Sequence, residues 1–304
     1  MLNPILASSA RRRMRAPRTM IVWSAYALAL LLIALFMQSR FLGGQVYLAR
    51  MNGVISLYAM LVGTQFALLL LTAPLMTAGA IASERERRTL ELLLVTNTGS
   101  VRIVFGKLME CFAYLTLLVA GGLPTMCVVL LFGGITLPEI LTAECFLLMV
   151  ALGVASIGVF CSSFAKSTVS AAIFAFLMML VIGAASALPL LNGYTQKVTD
   201  VLYDQQRYVA MSPVEALRWI SVPVCLNPVI GLISLLEAHT GLFHFLTDRG
   251  WGRILATYML MDKAGFIRVA LLNGGAVAVI GLTLTLLGAM IIRPHRRVRR
   301  SKKK

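Results

Sequence analysis

The chain has 304 residues, of which 59% are hydrophobic and 13% are charged, and its formal net charge is +16. Apolar residues make up nearer half of a soluble globular domain, so this composition excludes that class and predicts an all-α protein that crosses a membrane several times. The basic excess does not indicate nucleic acid as a partner. The basic residues are concentrated in two tails and one loop, where they set topology and contact anionic membrane lipids.

Residues 1–19 carry a cluster of arginines ahead of the first long apolar run, as a signal peptide would. That run, Met20–Met37, is longer than the apolar part of most signal peptides, and no small-residue cleavage site follows at Gln38–Arg40. We therefore expect residues 1–19 to be a cytoplasmic interfacial segment, and Met20–Met37 to be the first of six membrane spans.

Residues 20–190 are predicted to contain spans one to five. The second span, Gly53–Ala82, is longer than the ~20 residues that a bilayer requires, so we expect a kink at Pro74. The third span, Val104–Phe132, is interrupted in its outer half by Gly121 and Gly122. The next two spans are predicted at Cys145–Phe164 and Thr168–Leu190.

The loop at residues 83–100 follows the second span and is both highly charged and patterned as a helix. A capping box and two i,i+4 ion pairs support the pattern: Ser83 with Glu86, Glu84 with Arg88, and Arg87 with Glu91. We predict a helix from Glu84 to Thr96 that lies flat on the membrane surface. From the pattern alone it is either an interfacial strut or a docking element for a soluble partner.

An external turn is predicted at residues 133–144, and it contains Glu139 and Glu144. With these two carboxylates outside the membrane, the spans hold almost no ionisable residue at mid-depth. Proton-coupled carriers typically bury such groups along their path, so the prediction argues against a carrier of that kind.

Four residues of the later spans are candidates for a polar pathway or for a helix interface: Glu110, Gly153, Ser156 and Ser170. Glu110 lies one turn inside the third span, where Lys107 at i−3 predicts a local ion pair and a substrate-binding carboxylate is the alternative. The other three belong to small-residue faces of the fourth and fifth spans. Such faces would let these two helices, which only residues 165–167 separate, pack closely together.

Residues 191–265 are predicted to be an external loop with short helices that are re-entrant or lie in the interface. A seventh span within this loop would move the basic tail at 293–304 to the outside, against the positive-inside rule. The sixth span is therefore predicted at 266–292, which leaves both termini cytoplasmic.

The charged loop and the amino terminus resemble the permease subunits of type-2 ABC exporters. The similar residues in the loop are Ile81, Glu84–Glu86, Thr89–Glu91, Leu93–Leu94, Ser100, Ile103–Val104 and Gly106–Lys107. Asn3–Leu6 and Asn227–Val229 are similar to the family as well. That family usually has glycine at the position of Arg88, and often proline at the position of Asn97.

The resemblance implies that the loop forms a cytoplasmic coupling helix that sits on a separate, cytosolic ATPase subunit. The residues it assigns to this contact are Glu84, Arg85, Glu86, Arg87, Arg88, Thr89, Glu91 and Leu92. It further implies that ATP and Mg are bound by the ATPase. A second permease subunit, identical or paralogous, and a place in the bacterial inner membrane are also implied.

The chain itself contains neither the phosphate-binding G-x-x-x-x-G-K-[ST] motif nor a recognisable catalytic triad. We therefore expect a non-catalytic subunit without a cofactor or a metal site, which exports an amphipathic, lipid-like, drug or peptide cargo. One alternative is a membrane-embedded enzyme with His239 or His244 of the external loop as a base, although the spacing of these histidines to Glu237 and Asp248 matches no standard motif. The other alternative is an ion-coupled secondary transporter.

Overall fold

The computed structural model describes residues 17–41, 47–89, 100–191, 227–241 and 263–292, and these residues form α-helices with no strand among them. The all-α class predicted from the sequence is therefore confirmed for this part of the chain. In chain order the helices are α1 (Pro17–Phe41), α2 (Tyr47–Thr77), α3 (Gly79–Glu86), α4 (Ser100–Ala120), α5 (Leu123–Phe132), α6 (Leu137–Phe164), α7 (Thr168–Leu191), α8 (Pro228–Thr240) and α9 (Lys263–Ile291).

Five helical stretches among the described residues are long and apolar enough to cross a membrane, so the chain is a multi-pass membrane protein. They are Gly53–Glu86, Ser100–Phe132, Leu137–Phe164, Thr168–Ser186 and Ile267–Ile291. The apolar part of α1, Met20–Phe36, is shorter, and a sixth span there stays a prediction. The membrane segments predicted from apolar runs thus coincide with helices, although most of these helices begin several residues earlier than predicted.

Helix α6 lies at the centre of the bundle and packs against α2, α3, α4, α7, α8 and α9. It begins at Leu137, because the Glu139 carboxylate accepts hydrogen bonds from the Thr136 backbone N–H (2.8 Å) and hydroxyl (2.9 Å), and Pro138 is favourable in a first turn. The predicted external turn at 133–144 is therefore wrong. Its true extent is 133–136, and both Glu139 and Glu144 are buried in the helix.

Glycines of α9 that recur every seven residues pack against α6, and at the middle one they meet small residues of α6. A Cβ on Gly281 would lie 2.9 Å from the Gly153 Cα and 2.8 Å from the Ser156 Cβ. Gly274 and Gly288, seven residues to either side, contact the preceding and following turns of α6 in the same way. The predicted seam between the fourth and fifth spans is wrong for Gly153 and Ser156, because these two residues let α9, not α7, approach α6.

Helices α6 and α9 run in the same direction, because Gly274 contacts Phe146 and Met149 whereas Gly288 contacts Phe160 and Ser163 further along α6. Helix α7 runs back along α6, as contacts of Phe164 with Phe174 and of Cys161 with Met178 show. The ends of α6 and α9 therefore lie at one end of the bundle. Leu191, the last residue of α7, and Lys263, the first residue of α9, therefore lie at the other end.

Helix α8 is a short helix within the bundle and belongs to the predicted external loop. At its start, the Asn227 side chain accepts from the Val229 N–H (3.0 Å), while Asn273 in α9 donates to the Asn227 carbonyl (3.0 Å). At its end, His239 contacts Thr142 in the second turn of α6. Whether this region is re-entrant or lies in the interface stays a prediction.

The second span is interrupted at Ala78, four residues after Pro74. A proline disturbs the turn before it, so this interruption is not the predicted kink at Pro74, which stays a prediction. A hydroxyl from α6 completes the hydrogen bonds there. The Ser162 Oγ accepts from the backbone N–H groups of Ile81 (2.9 Å) and Ala82 (2.8 Å) and donates to the Ala78 carbonyl (2.6 Å). All of these groups are buried, so one side chain replaces the bonds that the helix loses at this break.

Replacing Ser162 with alanine is expected to destabilise the fold, since it leaves up to three buried backbone groups unpaired. Each unpaired buried group costs about 1–3 kcal/mol, so the free energy of unfolding should fall by at least about 2 kcal/mol. The measurement is thermal unfolding of the purified protein in detergent. Ser186→Ala is the matched control, because this buried hydroxyl bonds only to carbonyls of its own helix. Equal losses of unfolding free energy in the two variants would mean that Ser162 does not stabilise the backbone groups at the break.

Candidate functional site

Three consecutive charged residues at the end of α3 each hold a different helix. Glu84 forms an ion pair with Lys107 of α4 (2.6 Å). Arg85 donates to backbone carbonyls at the end of α6. Glu86 accepts from the first residue of α7. We call Glu84, Arg85 and Glu86 the clamp, because together they tie the ends of four helices at one end of the bundle.

The arginine of the clamp caps the carboxyl end of α6. Its Nη2 donates to the Ser163 carbonyl (2.6 Å) and its Nη1 to the Ala165 carbonyl. The last carbonyls of a helix have no partner within the helix, and the helix dipole makes this end negative. A guanidinium at this position therefore satisfies two backbone acceptors and opposes the dipole at the same time.

The Glu86 carboxylate caps the amino end of α7, the next helix along the chain. It accepts from the Thr168 backbone N–H (2.9 Å) and from the Thr168 hydroxyl (2.7 Å). A negative group is favourable at a helix start, which carries free N–H groups and the positive end of the dipole. Ser170, a predicted pathway or interface residue, also caps α7: its N–H donates to the Ser167 Oγ (3.2 Å), and its own Oγ accepts from the Ser167 N–H (3.1 Å).

The predicted capping box at Ser83 is wrong. Ser83 lies inside α3, where its hydroxyl donates to the Gly79 carbonyl, and Glu86 reaches across to α7 instead of back to Ser83. The predicted pairing of Glu84 with Arg88 is also not formed, since Glu84 binds Lys107. Residues 84–86 are thus the last turn of α3. The remainder of the predicted helix, including Glu91 and Leu92, lies outside the described residues.

Arg87, Arg88 and Thr89 follow the clamp and are exposed. Arg88 has a φ of 56°, the left-handed conformation that commonly ends a helix and that favours glycine. This explains why glycine suits the position in proteins that the loop resembles. The clamp residues thus bind neighbouring helices, with Glu84 and Arg85 partly buried and Glu86 exposed, and the next three residues are exposed as well.

Lys107 links the clamp to Glu110 inside the bundle. Its ammonium lies 3.7 Å from a Glu110 carboxylate oxygen, so the local pair predicted from the i−3 spacing is confirmed. Glu110 is 9% exposed. With its charge matched locally, Glu110 joins the clamp end of α4 to the core.

His239 lies in a second polar group, at the opposite end of the bundle. It is buried, with its Nδ1 2.8 Å from the Tyr58 hydroxyl and its Nε2 3.1 Å from the Thr142 hydroxyl. Both ring nitrogens are therefore used to tie α8 to α2 and α6, which does not favour a general base. His244 and Asp248 lie outside the described residues. Within the described part of the chain, no group of three or more His, Cys, Asp or Glu residues is placed to hold a metal ion.

A third polar group was missed by the sequence reasoning: Tyr26, Gln65 and Glu144, on α1, α2 and α6. Their side chains are 2%, 1% and 7% exposed, and the Gln65 Nε2 lies 3.5 Å from the Glu144 Oε1. The capping-box spacing of Thr136 and Glu139 was the signal that could have found the group. It places the start of α6 early enough to carry Glu144 into the bundle.

Arg85→Met is expected to loosen the clamp while keeping most of the side chain's volume. Hydrogen bonds of a charged donor contribute about 1.5–3 kcal/mol each, and some of this is recovered by solvation, so we expect a loss of about 2 kcal/mol in unfolding free energy. Thermal unfolding in detergent measures it. Arg87→Met is the matched control at the neighbouring exposed position and should change little. A similar loss in both variants would mean that Arg85 does not hold α6.

The comparison with known proteins gives the family. A sequence model of the ABC-2 family transporter proteins matches residues 46–200, slightly more than half of the chain. The matched region runs from the start of α2 past the end of α7 and includes the clamp. No curated protein matches the chain. The chain therefore belongs to the ABC-2 transporter family, and it is a membrane-spanning permease subunit of a type-2 ABC transporter.

Proposed function

We propose that this permease is driven by a separate cytosolic ABC ATPase, which docks on the exposed residues beside the clamp and powers export. Family membership implies an ATPase partner. The observation that supports the finer proposal is that Glu84, Arg85 and Glu86 bind other helices, whereas Arg87, Arg88 and Thr89 are exposed and take no part in those bonds. ATP and Mg are bound by the ATPase.

The clamp gives docking a mechanical consequence. A displacement of α3 reaches α4 through the Glu84–Lys107 ion pair, α6 through Arg85 and α7 through Glu86. It reaches α2 through the break that Ser162 bridges. Closure of the ATPase on ATP therefore moves several helix ends together as one body, which is how alternating access is produced in transporters of this kind.

The clamp end of the bundle is assigned to the cytoplasm, with six spans and both termini on that side. Six described basic residues support this orientation, since they belong to the loop and turn at the clamp end: Arg85, Arg87, Arg88, Arg102, Lys107 and Lys166. The strongly basic ends of the sequence agree with the same side, where they contact anionic lipids. The membrane is the inner membrane of a bacterium.

The working transporter contains a second permease subunit, identical or paralogous. Helices α1 and α7 offer surfaces for it or for lipid, because they carry a large share of the exposed apolar side chains, among them Ile21, Leu32, Val169 and Leu180. A pathway between two such bundles, lined by apolar and hydroxyl groups, suits an amphipathic cargo: a lipid-like molecule, a drug or a peptide.

Cysteine labelling tests the orientation. Arg88→Cys, made in a chain whose five native cysteines are replaced, should react with a membrane-impermeant maleimide only after the cells are opened. Arg268→Cys, exposed near the start of α9, is the control for the other side and should react in intact cells. Labelling of Arg88→Cys in intact cells would overturn the coupling role of the loop.

Charge reversal at the exposed half separates docking from folding. Arg87→Glu combined with Arg88→Glu should lower transport-linked ATP hydrolysis by at least about tenfold, since like charges across an interface cost several kcal/mol. The melting temperature should stay unchanged, because neither side chain supports the clamp. Arg268→Glu is the control. Retention of the ATPase and full hydrolysis in the double variant would contradict docking at this surface.

The buried Glu144 favours one other candidate, an ion-coupled secondary transporter, because such proteins bury carboxylates along their path. The two functions are separated by the energy source. Cargo movement in membrane vesicles that contain an ion gradient but no nucleotide would support the ion-coupled candidate. Movement that requires ATP, and that persists when the gradient is collapsed, supports the ATP-driven permease.

A further inference from the structure

Tyr26, Gln65 and Glu144 present a set of oxygen atoms for which the described part of the chain supplies no hydrogen bond of good geometry. The three atoms are the Tyr26 hydroxyl, the Gln65 Oε1 and the Glu144 Oε2, and each is buried. The group is continuous: the Gln65 amide lies 3.5 Å from the other Glu144 oxygen, and the Tyr26 hydroxyl lies beside the Gln65 side chain. Buried polar atoms normally have partners, so three such atoms in one place point to a missing one.

The missing partner must be a donor, and the described residues around the group do not supply a cation. Glu144 is in none of the described ion pairs. Those pairs join Lys107 to Glu84 and to Glu110 at the clamp end. An ionised carboxylate and an amide carbonyl can only accept, and a phenolic hydroxyl can accept as well as donate. An uncompensated carboxylate in a membrane bundle is costly, so a bound cation would remove the largest penalty.

We propose that Tyr26, Gln65 and Glu144 form a binding site for a primary ammonium group, the charged head of an amphipathic amine. A primary ammonium carries three N–H donors, which equals the number of buried oxygens that lack a partner. Its positive charge would neutralise the negative charge of the Glu144 carboxylate. Hydrogen bonds between charged groups are stronger than those between neutral groups. A quaternary ammonium has the same charge but no donor, so it would leave all three oxygens unpaired.

The site adjoins a break in the helices, which gives a ligand a way in. Gly122 lies between α4 and α5, and the Gln65 side chain packs directly against it. A Cβ on Gly122 would lie only 1.6 Å from the Gln65 Nε2. Trp23 of α1 covers the neighbouring Gly121, with its Nε1 3.1 Å from the position of a Cβ, and is 40% exposed on the outside of the bundle. At such a break the short helix α5 can move without bending a longer one. The apolar tail of an amine could then lie along Trp23.

As a statement about cargo the inference rests on the proposed export function, but binding itself is measured on the permease alone. Purified permease in a neutral detergent is titrated with decylamine, decanol and decyltrimethylammonium, and binding is followed by tryptophan fluorescence and by calorimetry. Decylamine should bind at least about tenfold more tightly than either of the other two. Equal affinity for all three probes would overturn the site, and equal affinity for the two cations would reduce it to unspecific charge attraction and overturn it as well.

Glu144→Gln keeps the shape of the site and removes its charge, so it should abolish the preference for decylamine over decanol. Glu237→Gln on α8 is the control for a carboxylate outside the site. Unchanged decylamine binding by Glu144→Gln would contradict the proposal. A second variant tests position instead of charge: Gly122→Ala must displace the Gln65 amide and should weaken decylamine binding at least about threefold.

Gly63→Ala is the matched control for Gly122→Ala, because it lies on the same helix as Gln65 and a Cβ there meets no atom within 4 Å. Melting temperatures show whether each variant is folded. Glu144→Gln should still retain the ATPase during purification. Loss of amine binding with the ATPase retained therefore concerns only this site, whereas loss of the ATPase in the Arg87→Glu, Arg88→Glu variant concerns only the proposed coupling.

Discussion

Hydrocarbon offers no hydrogen bonds, so a chain that interrupts its helices within a membrane bundle must find partners for the backbone groups it exposes. In this permease another helix supplies partners at one helix break and at three helix ends. Ser162 of α6 bridges the break between α2 and α3, and Arg85 and Glu86 of α3 cap the end of α6 and the start of α7. Asn273 of α9 holds the start of α8. The hydrogen bonds of these backbone groups therefore depend on the packing of the helices against one another.

This arrangement explains how a short charged segment can serve two purposes without conflict. Glu84, Arg85 and Glu86 already bind other helices, so under the proposed docking the ATPase would not have to compete for them. Arg87 and Arg88 extend from the same turn and are exposed. Under the proposed coupling, a force on the exposed pair would pass directly to groups that already hold four helices.

Features that depend on local sequence were predictable. Long apolar runs predicted the helices, the Gly121–Gly122 pair predicted the interruption between α4 and α5, and residues 165–167 predicted the turn between α6 and α7. These signals act within a few residues of the chain, where sterics and hydrogen-bonding capacity decide the outcome. The i−3 pairing of Lys107 with Glu110 was predictable for the same reason.

Partners that come from distant parts of the chain were not predictable. The spacing of Ser83 and Glu86 satisfies the capping-box pattern, yet the amino end of α7 lies closer to the carboxylate and takes it instead. Gly153 and Ser156 were correctly identified as packing residues, but a small residue does not specify which helix will approach it. Glu144 was misplaced because hydropathy set the start of α6 too late, and its burial followed from that one error.

The seven-residue repeat of Gly274, Gly281 and Gly288 limits how the chain can change its length during evolution. One residue added or deleted between two of these glycines would rotate the rest of α9 by about 100°. The next glycine would then point away from α6. Only a change of a whole repeat, or matched changes in both helices, would restore the alignment. Homologous chains should consequently concentrate their insertions and deletions in the connections between helices and keep the segment from Gly274 to Gly288 constant in length.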